Sequence, residues 1–194
     1  MAKKSTRNTR GRIVSAAWKL FYEQGYEDTT VEEIIELSGT SKGSFYHYFD
    51  GKDALLSTLS SLFDEKYEEL TGLLTPEMTA MEQLLFLNRE LFHMIEDSIS
   101  LDLLARLYST QLTTNGEKHL LDHNRTYYKL LRKIIAKGQS EGQLSSRSNV
   151  NEMVKLYALC ERALLYDWCL CAGEYALTEY SAKVLPGFLS SFLP

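Results

Sequence analysis

Eight side chains between Thr30 and Lys52 have the chemistry to hold a nucleic acid. Thr30, Thr40, Ser41 and Ser44 supply hydroxyls, Tyr46 a phenol, His47 an imidazole, and Lys42 and Lys52 ammonium groups. Hydroxyls, phenols and ammonium groups suit phosphate oxygens. Short hydroxyls and an imidazole on a helix suit base edges in a groove. Residues 37–49 contain no carboxylate, which phosphate would repel. Gly43 stands in the middle of the set, where it costs a helix about 1 kcal/mol against Ala. That cost has a purpose where backbone must approach another molecule closely.

Two short helices joined by a tight turn must position these groups. Thr30 and Glu33 have the spacing of a capping box, so a helix is expected from Val31, with Ile34 and Leu37 on its buried side. Gly39 is placed to end it in the left-handed region, and Ser41 to cap a second helix through Phe49. At about 100° per residue, Phe45, Tyr48 and Phe49 share the buried face of that second helix. Thr40, Gly43 and His47 centre the opposite face, flanked by Ser44 and Tyr46. Thr40, Lys42, Ser44 and His47 are the candidates for base edges, with Lys42 leaning toward the buried flank, within reach of a phosphate. The unit is a helix-turn-helix. The alternative, an ordinary surface helix of a small bundle, leaves the agreement of caps, turn and exposed face unexplained.

The segment resembles the DNA-binding domain of the TetR family of bacterial transcription regulators. Their pattern runs T-V-x-x-I-A-x-x-A-G-V-S-x-G-x-[FL]-Y-x-[YH]-F-x-x-K-x-x-L. Thr30, Val31, Ile34, Gly39, Ser41, Gly43, Phe45, Tyr46, Tyr48, Phe49, Lys52 and Leu55 match it in register. Ile35, Ser38 and Thr40 depart from it, where the family prefers Ala, Ala and Val. Ile35 and Ser38 read as packing variants, and Thr40 as a hydroxyl near the start of the reading helix. The resemblance implies that Tyr46 and Lys52 grip phosphates, and Thr30 can join them from the helix N-terminus. It implies an all-α chain of about nine helices: a three-helix DNA-binding domain, then a helical effector-binding domain that dimerises through the last two helices. The implied partners are a near-palindromic DNA operator, a second copy of the chain and a small-molecule effector.

Composition agrees with a helical regulator. The chain has 194 residues, with three prolines and eleven glycines. No apolar run is long enough to span a bilayer and no signal-peptide core follows the N-terminus, so a cytoplasmic protein is expected. The net charge of −5 is unevenly distributed. Residues 1–52 carry eight basic and seven acidic side chains. Lys3, Lys4, Arg7, Arg10 and Arg12 form a basic arm suited to phosphates or the minor groove, although charged termini also serve solubility alone.

The first domain is expected over residues 8–70, with the reading unit at about 30–49, a first helix from Arg10 to Gln24 and a fourth from Lys52 to Leu70. Pro76 marks the boundary, and residues 75–194 form the second domain. Its helices are outlined by Met78–Ile95, by Leu103–Leu107, by a stripe from Glu117 to Ile135 closing near Gly142, and by residues 150–170, apolar nearly all round. The last helix is expected to kink or break at Pro186. A helix apolar on every side must be covered on every side, so residues 150–170 imply a partner surface and an obligate dimer.

By resemblance the second domain holds an effector pocket, for which Phe92, Arg106, Tyr108, Tyr127, Glu161 and Trp168 are the candidates. Each has an alternative as core or dimer interface. His119 and His123, four apart on an expected helix, have metal-ligand spacing, but no third ligand accompanies them. Cys160, Cys169 and Cys171 read as small buried hydrophobes rather than metal or redox groups. No nucleophile–base spacing and no phosphate loop is present, so neither catalysis nor a metal nor a cofactor is expected. A competing reading is a DNA-bound protein that acts on a protein partner without an effector.

Overall fold

The computed structural model describes residues 2–113 and 118–194, with side chains from Thr9 onward. The Lys3, Lys4 and Arg7 side chains of the basic arm, and Glu117, lie outside the described residues. Regular structure is helical throughout the described residues: α1 (Ala2–Gln24), α2 (Val31–Ser38), α3 (Lys42–Tyr48), α4 (Lys52–Leu56), α5 (Leu59–Thr71), α6 (Ala80–Ser98), α7 (Leu101–Thr113), α8 (Thr126–Ser140), α9 (Val150–Leu170) and α10 (Leu177–Leu189), with 3-10 turns at His119–Leu121 and Ser190–Phe192. They form two compact units, Met1–Ser61 with Asp102–Thr114, and Leu62–Leu101 with Asn115–Pro194. The assignment of the 102–114 segment to the first unit was not expected from the sequence.

In the first unit α1 buries Ile13, Ala17 and Phe21 and packs on both α2 and α3, which contribute Ile34 and Phe45. The capping box of Thr30 and Glu33 is present, and Gly39 ends α2 at φ 58°. The buried side of α2 is Ile34 and Ser38, one turn apart, while Leu37 is exposed, contrary to expectation. The expected fourth helix is two, α4 and α5. Between them the hydroxyls of Ser57, Thr58 and Ser60 donate to the carbonyls of Ala54 (2.7 Å), Leu55 (2.6 Å) and Ser57 (2.7 Å). Hydroxyls on three of four neighbouring residues thus take carbonyls that a continuous helix would use, which is how Ser and Thr interrupt helices. Trp18 fixes the break from α1, its Nε1 donating to Thr58 Oγ1 at 2.9 Å.

In the second unit α6 packs on α8 and α10, and α9 on the same two helices. Thr79 and Glu82 make a second capping box, at the start of α6. Its core includes Leu84, Leu87, Phe92, Ile95, Leu131, Ile135 and Tyr157, all buried. The helix expected from Glu117 begins only at Thr126. Asp64 holds that start: its carboxylate takes the Tyr127 amide at 3.2 Å and the Arg125 guanidinium at 3.0 and 3.1 Å. Pro186 lies inside α10 without ending it. The carbonyl four residues before it belongs to Ala182, which is exposed, so no buried acceptor loses its partner.

Gly138 sets the closest approach in this unit. A Cβ there would lie 2.6 Å from the Ala80 Cβ and 2.9 Å from two Leu144 side-chain carbons. Gly138→Ala is therefore expected to destabilise the second unit by about 1–3 kcal/mol, the usual cost of overpacking. A urea denaturation midpoint equal to that of the parent would contradict this account of the α6–α8 crossing.

Candidate nucleic-acid interface

The reading helix α3 starts at Ser41, whose Oγ accepts the Ser44 amide at 3.1 Å and lies 2.9 Å from the Ser44 Oγ. Phe45 is fully buried beneath it. Phe49 leaves the helix in an extended conformation, at φ −142° and ψ 129°. Phe49 is buried as expected, though from the cap position rather than from within the helix. Tyr48 is only half-buried, and Lys42 is exposed, 3.5 Å from Glu32. Gly43, Tyr46 and His47 are exposed as well, and a Cβ built at Gly43 would meet nothing within 4 Å. Lys42, Gly43, Tyr46 and His47 thus form one open surface.

The turn before α3 is more tightly bonded than expected. Thr40 is half-buried, its Oγ1 2.8 Å from the Ser38 Oγ, which also bonds the Ile35 carbonyl at 3.1 Å. Two of the three departures from the family pattern therefore meet in one hydroxyl pair. Arg12 closes the same turn from α1. Its guanidinium donates to the carbonyls of Ser38 and of Gly39, the latter at 2.8 Å. Arg12 was expected in the basic arm, but here its charge caps the carbonyl end of α2, where a cation is favourable. Arg10 lies over the Phe49 ring at 5.4 Å.

Lys52 has partners within the protein that its expected role did not foresee. Its Nζ donates to the carbonyls of Tyr26 (2.7 Å), Glu27 (3.0 Å) and Thr29 (3.0 Å) and lies 4.4 Å from the Tyr26 ring centre. An ammonium group has three protons, and all three are engaged with the α1–α2 loop. A phosphate contact would have to take one of them away. Around the same loop the Tyr26 hydroxyl donates to Asp53, and Arg106 from α7 pairs with Glu27 and with Asp102 (2.9 Å). The phenol of Tyr26 is held far above its usual pKa by burial, and then by Asp53. Thr30, expected to reach phosphate, has its Oγ1 within 2.8 Å of Glu33 as part of the capping box.

The six effector-pocket candidates are not gathered in one place. Arg106 and Tyr108 belong to the first unit, where Arg106 serves the α1–α2 loop. In the second unit Tyr127 donates to Glu161 at 2.6 Å, and Phe92 is fully buried. Trp168 bonds the Tyr175 carbonyl at 2.9 Å. Glu161 also accepts from Asn88 at 2.9 Å, and Ser181 donates to Asn88 at 2.5 Å. Asn88 and Ser181 were not singled out for a site. The available signal was an Asn within the apolar stripe of the helix carrying Phe92. Burial pushes the Glu161 carboxyl up, against the hydrogen bonds from Tyr127 and Asn88 that pull it down. None of the six lines the open groove of the second unit, which lies between α6 and α10.

His119 lies in a 3-10 turn and His123 in the following turn, so their spacing is not that of two ligands on one helix face. The described residues contain no group of three ligating side chains. The cysteines are half-exposed rather than buried, and burial pushes the Cys160 and Cys169 thiols up to about 11. No described helix is long and apolar enough to cross a membrane.

Residues 13–59 match the family model for bacterial regulatory proteins of the tetR family. The FadR repressor of Thermus thermophilus, solved with lauroyl-CoA and described as a TetR-family transcriptional repressor, superposes with a TM-score of 0.75 at 26% identity, covering 95% of each chain. This chain carries the DNA-binding domain of the TetR family, on a fold it shares with TetR-family regulators. The fatty acid metabolism regulator protein of Bacillus subtilis is 23% identical to it over 90% of each chain. Other TetR-family resemblance is local. The HTH-type regulator TtgR of Pseudomonas putida is 34% identical over 68 residues, so the chain spans 32% of that relative's length.

Lys52 offers a direct test within the family framework. Lys52→Met keeps the side-chain length and removes the charge and donors. It is expected to lower the stability of the first unit by about 1.5–3 kcal/mol, as for lost charged hydrogen bonds. The slope of log affinity for DNA against log salt should stay unchanged. A phosphate ligand would instead take about 0.9 from that slope.

Proposed function

We propose that the chain is a dimeric repressor that binds a near-palindromic operator through α3 and is released by a small-molecule effector bound in the second unit. The exposed face of α3 carries the reading. Gly43, Tyr46 and His47 stand open beside one another, without a carboxylate on the helix, while Phe45 anchors it from behind. Tyr46 and Lys42 serve phosphate, while His47, Ser44 and Thr40 read base edges, Thr40 through a hydroxyl already oriented by Ser38. Ser41 caps the helix. In a dimer two such helices enter the major groove about one helical turn apart.

The dimer reading rests on α9 and α10. Met153, Val154, Tyr157, Leu164 and Trp168 cover the inward side of α9, yet Leu159, Tyr166 and Leu170 on its other side are exposed. Tyr180 of α10 is exposed too. A soluble chain rarely leaves such a surface to water, and a second copy would cover it. Repression by the first unit and effector binding by the second follow the relatives, among which FadR from Thermus thermophilus was solved with lauroyl-CoA. Release requires that the effector favour a dimer geometry unable to bridge both half-sites.

Two outcomes test this reading. Tyr166→Glu should convert the dimer to monomer in sedimentation at micromolar concentration and weaken operator binding by at least tenfold. Gly43→Leu should fold normally, because the space beyond Gly43 is empty, and should lose operator binding in a mobility-shift titration. Normal binding by the Gly43 variant would end the assignment of α3 to the groove.

A further inference from the structure

We propose that the groove between α6 and α10 binds an amphipathic organic cation: an apolar body carrying an ammonium or amidinium group. Its volume, about 670 Å³, falls in the range of small-molecule sites. Leu85 and Phe86 of α6, Met78 just before it, and Ala182 and Pro186 of α10 supply apolar walls. That lining suits a hydrocarbon or aromatic body.

Two observations set the charge of the ligand. Glu77 and Glu82 stand at the groove. Hydrogen bonds from Thr75 and Thr79 respectively hold their carboxyls below the usual range, so both are charged at neutral pH. Arg89, the cation among the lining residues, is paired with Glu90, which accepts from its Nε at 2.9 Å and its Nη2 at 2.7 Å. Buried Asn88 and Ser181 also line the groove, and behind them lies Glu161, whose bonded donors Asn88 and Tyr127 are neutral. The groove is thus acidic at its rim, and an anionic head group would meet repulsion there. Ser181, having donated its proton to Asn88, keeps lone pairs to accept from a ligand N–H.

The groove is separate from the proposed dimer face. At about 100° per residue along α10, Thr178, Ala182 and Pro186 fall on one flank of the buried stripe Ser181, Leu185 and Leu189, and Tyr180 and Val184 on the other. A ligand can occupy the groove while two chains pair through the opposite flank.

Isothermal titration calorimetry of the full chain with decylammonium, held below its micellar range, tests the site. Decanoate and lauroyl-CoA serve as anionic rivals. One cation per chain should bind, at least tenfold tighter than decanoate. Ala182→Trp, which fills the groove from an exposed position, should weaken binding at least tenfold, and Glu77→Lys several-fold. The Glu77 variant alters an exposed turn residue and keeps the test informative if the tryptophan variant folds poorly. Absence of cation binding, equal or tighter binding of either anion, or parental affinity in both variants would overturn the proposal. The effector role rests on the repressor reading and is measured separately, by operator release at saturating cation. Groove-dependent binding without release would leave the site in place and remove that reading of its purpose.

Discussion

The Lys52 ammonium governs the geometry of the first unit. Three carbonyls of the α1–α2 loop converge on it, and a loop that presents three carbonyls to one point needs a charge there to be stable. The loop in turn sets where α2 begins, because Thr30, its N-cap, follows directly on Thr29. Arg12 then fixes the other end of α2 through the Ser38 and Gly39 carbonyls. Both ends of a helix of only eight residues are therefore held by cations from outside it. A helix this short has little stability of its own, so its orientation, and that of α3 after the turn, comes from these two clamps and from the burial of Ile34 and Phe45.

Local signals were readable in the chain and long-range ones were not. Thr30 with Glu33, Gly39 and Ser41 act within a turn of their own positions, and each cap lies where the sequence puts it. The break between α4 and α5 was hidden because Ser57, Thr58 and Ser60 also fit a helix surface, and only their hydroxyl bonds to carbonyls reveal the interruption. Leu37 was misplaced because α2 is too short for periodicity to choose between neighbouring flanks. The loop contacts of Lys52 and Arg106 were illegible for one shared reason. A cation is legible as a charge, but the carbonyls and carboxylate that claim it lie about 25 and 79 residues away and carry no mark in the sequence.

The same difference separates the two sites. The exposed face of α3 depends on side chains that point away from the protein, and a helical angle count on seven residues recovers most of that exposure. A groove depends on which helices pair, and α6 with α10 joins residues about ninety positions apart. Asn88 and Ser181 illustrate this: neither is unusual alone, yet together they carry a hydrogen-bonded path from the groove to the buried Glu161. A half-satisfied polar network in a core would be costlier than an apolar core, so its completeness is a requirement of the fold as well as an opportunity for a ligand.

Coupling between an effector and the reading head must pass through something the two units share. The division places Leu101 in the second unit and Asp102 in the first, so α7 begins in one and continues in the other. Just beyond that point Arg106 bonds Asp102, one turn before it, and Glu27 of the α1–α2 loop. Arg106 thus ties the part of α7 that lies in the first unit to the loop that Lys52 holds. For an effector to use this route it must bind more tightly to one arrangement of that turn than to the other, since equal affinity shifts nothing. The charges of Arg106 and Glu27 then matter less for stability, being partly exposed, than for which arrangement of the loop is the lower in energy.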